Sequence, residues 1–291
     1  MIKRSPGEVI FDTINAIFML LIIFITLYPF WYVVCASFSD NAVLTANPGI
    51  LLWPKGWVTG GYRLTFKNPL LITGYKNILI ILVASLPLNI VMTLFAGYFM
   101  AMRGMMFKKI FVYMMLFTMY FGGGLIPNYV LMTNLGLKNT IWGFVLPGLI
   151  GTYYVLLMRS FFASVPNELE EAGELDGLNK FGVFFRIVLP LSKPIIATMV
   201  LFYASGYWNN WFTAYLYLDD KAKWPVAYYL KTIITGASTS ADPGQATAEA
   251  MQVAANIKSC SMVLMALPII CVYPFVQKYY VQGMMLGGVK E

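Results

Sequence analysis

The sequence predicts an all-α polytopic membrane protein with six transmembrane helices. Three observations lead there. Hydrophobic residues make up 59% of the 291 positions and charged residues only 11%, where soluble domains carry about 25% charged residues. Mean hydropathy is +0.70. Runs free of Asp, Glu, Lys and Arg recur along the chain, and most approach or exceed the roughly 20 residues that cross a bilayer as a helix.

In chain order, Lys3 and Arg4 precede an uncharged run over 13–39. That run is too long for a signal-peptide core and has no Ala-x-Ala cleavage site. Residues 14–34 read as the first span, with Tyr28, Trp31 and Tyr32 as its interfacial belt. Residues 36–73 read as a loop rich in Gly, Pro and Trp. The second span is 77–102, and Arg103, Lys108 and Lys109 form a tight basic turn after it. A third span starts near Phe107 and is interrupted by Gly122-Gly-Gly124 and Pro127. The fourth is 139–158. A polar segment over 159–193 follows, then a fifth span over 194–218. Residues 219–258 read as a polar excursion with turn chemistry at Thr239-Ser-Ala-Asp-Pro-Gly244. The sixth span is 259–276, and 277–291 form a short tail. Six spans put both termini on one side, and the compact basic turn makes that side cytoplasmic.

Several chemistries are excluded by residue types. There is no histidine, so His-dependent triads, HExxH zinc sites and His-ligated haem are ruled out. Cys35, Cys260 and Cys271 lack a CxxC spacing and read as packing residues, with neither a metal site nor a disulfide framework. The net charge of +7 suits anionic lipid, and no basic run with interleaved aromatics resembles a nucleic-acid surface. The spans carry no ionisable residue at their centres, which argues against a proton-coupled pump. No GxxxxGK[ST] phosphate loop is present. A transporter of this kind must draw its energy from a cytoplasmic partner.

One segment is built for such a contact. Glu168, Glu170, Glu171, Glu174 and Asp176 place five carboxylates within nine residues. Pro166 suits a first helical turn, the early glutamates favour the helix N-terminus, and Gly177 supplies a left-handed stop. On a helix over about 165–177, Leu169, Ala172, Gly173 and Asp176 share one face. Ala172 and Gly173 leave room for another backbone, and the carboxylates flank them. The pattern describes a helix that docks in a groove lined by basic residues; the alternative is an ordinary solvated acidic loop.

Glu171-Ala-Gly-x-x-x-Gly177, nine further residues and Ile187-x-Leu-Pro190 resemble the EAA signature of ABC-importer permeases. The one departure is Gly173 in place of the second Ala. Asn134-Leu-Gly-Leu-Lys-Asn-Thr140, Arg159-Ser-Phe-Phe162, Pro190-Leu-Ser-Lys-Pro194, Trp208-Asn209 and the tail from Val281 to Lys290 extend the resemblance over nearly the whole chain, to MalG-like carbohydrate permeases. Gly123-Gly-Leu-Ile-Pro127 and Trp208-Asn-Asn-Trp211 look most like the LplC/YtcP type, associated with complex oligosaccharides.

The resemblance implies a MetI-like five-helix core plus one N-terminal helix, with a first segment over 1–72, a permease core over 73–280 and a cytoplasmic tail over 281–291. It implies a bacterial inner-membrane subunit that pairs with a second, homologous permease, two ATP-binding subunits and an extracellular solute-binding protein. ATP and Mg would sit on the partner ATPases, with no cofactor, metal or ATPase site in this chain. The function implied is import of an oligosaccharide by alternating access. Glu171, Ala172, Gly173 and Gly177, with Leu169 and Asp176, would form the coupling helix, and Gly287, Gly288, Val289 and Lys290 a second ATPase contact. Trp208, Asn209, Asn210, Trp211 and Tyr120 are candidates for the substrate pathway, since flat rings and amides suit sugars. The excursion over 219–258 falls where such permeases reach toward the binding protein. The rival functions are an ABC permease for a non-sugar solute and an ion-coupled secondary carrier.

Overall fold

The computed structural model describes residues 6–102, 104, 106–239 and 256–274, and among them contains helices and connections but no strand. The chain divides into two compact units, Met1–Pro69 with Leu230–Leu267, and Leu70–Tyr229 with Pro268–Glu291. Helices α1 (Pro6–Ser37), α4 (Pro69–Ala101) and α15 (Asn256–Pro274) are long and apolar enough to cross a membrane. Three bent helix pairs bring the spans to as many as six.

In the first unit, α1 exposes nearly every apolar side chain from Val9 to Tyr32. A helix apolar on all sides is stable where lipid is its solvent. Its end packs Cys35 and Ala36 with Leu51. The loop expected after it is more ordered than its composition suggests. It holds α2 (Asn41–Ala46), whose Ala42 N–H is capped by Asp40 Oδ1 at 2.8 Å, and α3 (Gly60–Lys67). Its last residues already belong to α4. Asn256, 8% exposed, joins α15 to this unit. Its Nδ2 donates to Ser37 O at 3.1 Å and Ser39 O at 3.2 Å, and its Oδ1 accepts from Gly61 N–H at 3.1 Å. Cys260 Sγ lies 3.4 Å from Ser37 O. These bonds tie Asn256 and Cys260 to Ser37, Ser39 and Gly61. Cys35 and Cys260 are buried, while Cys271 is exposed.

The second unit begins with α4, and the carbonyls of Ala101, its last residue, and of Met102 just after it accept from the Lys108 ammonium at 3.1 and 3.2 Å. α5 (Lys108–Tyr120) and α6 (Leu125–Asn134) meet at 107°, with Gly124 at φ +87°. The break falls at the glycines where it was expected. The fourth span was expected to be continuous over 139–158. Instead α7 (Ile141–Val145), a 3₁₀ turn over Leu146–Gly148 and α8 (Thr152–Ala163) bend by 49°, because Pro147 lacks an N–H and the Gly148–Gly151 stretch holds a helix poorly.

The freed backbone groups are taken up by side chains from neighbouring helices. Asn89 Nδ2 on α4 donates to Gly148 O at 3.1 Å and Leu149 O at 2.8 Å. From α12 (Lys193–Asn209), the Tyr207 hydroxyl donates to Val145 O at 3.2 Å. Gly151 N–H donates to the Tyr203 hydroxyl at 3.0 Å, which lies 2.8 Å from Thr93 Oγ1. A broken span survives at membrane depth only where such groups re-satisfy the backbone.

α9 (Asn167–Leu175), α10 (Lys180–Val183), a π-turn over Phe184–Val188 and α11 (Leu189–Leu191) lead to α12, with a 77° bend at Ser192. Pro190 has no N–H to give and its ring crowds the preceding turn, which accounts for the wide winding before it. The fifth span was expected to reach 218. α12 stops at Asn209, and Asn210 Oδ1 caps α13 (Trp211–Tyr217) by accepting from Thr213 N–H at 3.0 Å. The segment after it, over 219–258, was expected to be a polar excursion. α14 (Val226–Thr239) occupies its first part, with Val226, Ala227, Tyr229 and Leu230 buried. The charges at Asp219–Lys223 obscured that apolar run. The turn chemistry expected at 239–244 lies, from 240 onward, outside the described residues.

The core of this unit joins Leu94 and Tyr98 of α4, Met158 and Phe162 of α8, Val183, Phe184 and Val188, and Ile195 and Met199 of α12. At Gly97, α4 approaches α8 so closely that a Cβ would stand 2.8 Å from Met158 Cγ.

Candidate functional site

The acidic helix α9 begins one residue later than expected, with Pro166 at its N-cap and Asn167 as its first residue. It ends as its sequence dictates. Gly177 adopts φ +85°, its N–H donates to Glu174 O at 3.0 Å, and Leu178 N–H donates to Gly173 O at 3.0 Å. This doubly bonded left-handed cap satisfies carbonyls that a helix end otherwise leaves bare. Asn179 then caps the next helix, its Oδ1 accepting from Gly182 N–H at 2.8 Å. Glu174 and Lys180 form an ion pair across the turn. Both are substantially exposed, so the pair contributes at most about 1 kcal/mol.

Of the face read from the sequence, only Gly173 is turned inward. Gly173 is buried, and a Cβ there would meet Ile187 Cδ1 at 2.5 Å and Val183 Cγ2 at 3.3 Å. Its small size is used inside the chain, where α9 rests on the π-turn and on the core beyond it. Leu169, Ala172 and Asp176 are exposed, as are Glu171 and Gly177. The outward stripe is Glu168, Glu171, Ala172 and Leu175, spaced i, i+3, i+4, i+7. Leu175 is 89% exposed and was not among the expected contact residues. Its position four residues after Glu171 was the available signal. Phe181, 68% exposed, extends the apolar surface past the cap. Together they form a small apolar ridge edged by carboxylates.

The residues expected along a substrate path do not converge. Trp208 is 9% exposed, its ring 6.1 Å from Tyr75, and it lines a cavity of about 350 Å³ with Leu79, Leu201, Ile269 and Val272. That wall is almost wholly apolar and offers few partners for sugar hydroxyls. Asn209 Nδ2 donates to Ser205 O at 2.9 Å, and Asn210 serves as a helix cap. Trp211 and Tyr120 keep exposed rings, at 37% and 75%. Among the described residues no cluster of His, Cys, Asp or Glu has metal-binding geometry. Gly287, Gly288, Val289 and Lys290 lie outside the described residues.

Comparison with known proteins identifies the family of the chain. The family described as "Binding-protein-dependent transport system inner membrane component" aligns with residues 79–286. Protein LplC of Bacillus subtilis (strain 168) is 36% identical over 290 residues, covering 100% of this chain and 98% of its own. The polygalacturonan/rhamnogalacturonan transport system permease protein YtcP of the same organism is 34% identical over 285 residues, covering 97% and 98%. A solved bacterial ABC transporter involved in the import of the acidic polysaccharide alginate contains a chain that superposes with a TM-score of 0.81 at 26% identity. It covers 96% of this chain and 100% of that one.

Proposed function

The chain belongs to the family of binding-protein-dependent transport system inner membrane components, and from that premise we propose that it is the membrane-spanning subunit of an ATP-driven carbohydrate importer, taking up an oligosaccharide. The relatives named for rhamnogalacturonan and alginate transport support the substrate class. In this reading it pairs with a second permease, and two ATP-binding subunits lie on its cytoplasmic side with both of its termini. A solute-binding protein delivers the sugar from outside. ATP and Mg act on the partner subunits; this chain transmits motion.

The observation that carries the reading is the seating of α9. Its outward stripe of Glu168, Glu171, Ala172 and Leu175 faces away from the chain, and its inward Gly173 lies on Ile187 and Val183, at the end of the core shared by α4, α8 and α12. A displacement of α9 reaches three helices through packed side chains, which resist compression. Glu171 orients the docking against a basic group on the ATPase. Trp211 and Tyr120, whose rings stay exposed, are retained as pathway candidates. The tail residues Gly287, Gly288, Val289 and Lys290 form the second ATPase contact.

The test is reconstitution of the complete transporter with Glu171→Lys. Uptake into vesicles is expected to fall while membrane insertion and basal ATPase activity persist. Normal uptake by the variant rules out the coupling role.

A further inference from the structure

The Trp211 ring belongs to a row. Its centre lies 5.6 Å from that of Phe212, and Phe212 lies 6.2 Å from Tyr215. Tyr215 stands 6.1 Å from Tyr228 of α14, and Tyr228 stands 4.4 Å from Trp224. Five rings thus follow one another, the first three keeping 37%, 43% and 59% of their surface exposed. The row ends on charge. The Lys221 ammonium lies 6.0 Å from the centre of the Trp224 ring, close enough to feel its electron-rich face.

This end is held in place by hydrogen bonds. Asn77 Nδ2 of α4 donates to Ala222 O at 2.7 Å and to Trp224 O at 3.0 Å. Trp224 Nε1 donates to Leu218 O at 2.9 Å, and Lys223 Nζ to Asn139 O at 2.8 Å. Lys76, Lys138, Lys221 and Lys223 stand here against Asp219 and Asp220, so cations are in excess. Lys138 pairs with Asp219 at 3.2 Å. Lys76, Lys221 and Lys223 are exposed, and among the described residues none of the three has a carboxylate partner. With both termini cytoplasmic, as proposed above, the start of α4 and the end of α13 lie at the outer face.

We propose that the row from Trp211 to Trp224, with Lys221 and Lys223 at its end, is a binding track for an acidic oligosaccharide that carries carboxylates on its sugar rings. The proposal rests on the reading of the chain as a carbohydrate-importer subunit and names the charge of its substrate. A sugar ring lays its apolar C–H face on an aromatic ring, while its hydroxyls reach polar tips such as those of Tyr215 and Tyr228. The unpaired ammonium groups receive the carboxylates as point charges. Excess positive charge also draws an anion toward the row from a distance. Exposed contacts of this kind are individually weak, so the sugar is held without being trapped.

The test titrates the complete transporter in nanodiscs, without its solute-binding protein, and reads binding by saturation-transfer NMR. The probes are trigalacturonate and, as the neutral control, maltotriose. Trigalacturonate is expected to bind the more tightly, and to lose affinity as salt rises, since exposed charges are screened beyond about 8 Å at 0.15 M. Lys221→Gln combined with Lys223→Gln should weaken trigalacturonate about fivefold and leave maltotriose unchanged. Lys109→Gln removes a charge from the basic turn after α4 and should change neither. Tyr215→Ala should weaken both sugars, and Tyr215→Phe should keep most of the binding. Equal affinity for the two probes, or no response to the lysine or Tyr215→Ala changes, overturns the proposal and leaves the rings as an interfacial belt. ATP-driven uptake into proteoliposomes, with the binding protein restored, separates the two readings. Uptake of a neutral oligosaccharide without trigalacturonate binding removes only the track, whereas uptake of no carbohydrate removes the importer reading with it.

Discussion

A Cβ built on Gly173 stands 2.5 Å from the Cδ1 of Ile187. This contact joins the acidic helix to the π-turn and, through Val183 and Val188, to the core of the second unit. The same position carries alanine in the EAA pattern that the segment resembles, and the structure explains why both residues are workable. The obstructing atom is the far end of a flexible side chain.

Gly173→Ala is therefore expected to be close to neutral. The helix gains about 1 kcal/mol in propensity, and an off-rotamer Ile187 costs about 0.5–1.5 kcal/mol. Thermal unfolding in detergent should differ from wild type by only a few degrees. Gly173→Leu has no such escape and should lift α9 from its seat, lowering coupled transport. Adding Ile187→Ala to Gly173→Leu should restore part of the loss, because the two sites share one volume.

Leu175, 89% exposed, contributes little to the chain's own stability. Leu175→Asp should leave thermal unfolding unchanged and lower ATP-driven uptake about tenfold or more, the size of effect expected of a buried interface anchor. Uptake and ATPase activity measured on the same vesicles would separate a lost contact from a lost subunit.

Gly177 holds φ +85°, and nothing lies within 4 Å of the position a methyl group would take there. Replacing it with alanine thus tests backbone strain alone. Gly177→Ala should destabilise by about 1–2 kcal/mol, and Gly177→Asn by less, since asparagine tolerates the left-handed region. Hydrogen exchange over 167–178 should report the fraying of α9 directly.

Tyr203→Phe removes the hydroxyl that accepts from Gly151 N–H at 3.0 Å and bonds Thr93 at 2.8 Å. The expected cost is about 1 kcal/mol, since hydrogen bonds between spans are worth little more than those in water. Combining it with Thr93→Val should cost less than the sum of the two single changes, because the orphaned Thr93 hydroxyl is then absent. Thermal melts of the four proteins complete the cycle.

The spans, the break at Gly122–Gly124 and the helix stop at Gly177 were legible because each rests on a local rule. Those rules are apolar length, glycine at positive φ and a missing N–H. The break in the fourth span was less legible, though Pro147, Gly148 and Gly151 were present to signal it. The run was apolar throughout, and hydropathy does not register a bend. α14 escaped notice for the opposite reason, its apolar run Val226–Leu230 lying between Lys223 and Lys231.

By itself the sequence determined that this chain lives in lipid, roughly where its apolar spans fall, and that one acidic segment stands apart from the rest. Composition and local backbone preference decide such things without reference to distant residues. The face that α9 turns outward was decided only by tertiary structure. Leu169, Ala172, Gly173 and Asp176 obey the helical period as well as Glu168, Glu171, Ala172 and Leu175 do, and no periodicity chooses between them. Ile187 and Val183 choose, because the space above them admits glycine and little more. That one steric fit turns Gly173 inward and leaves Glu171 and Leu175 exposed.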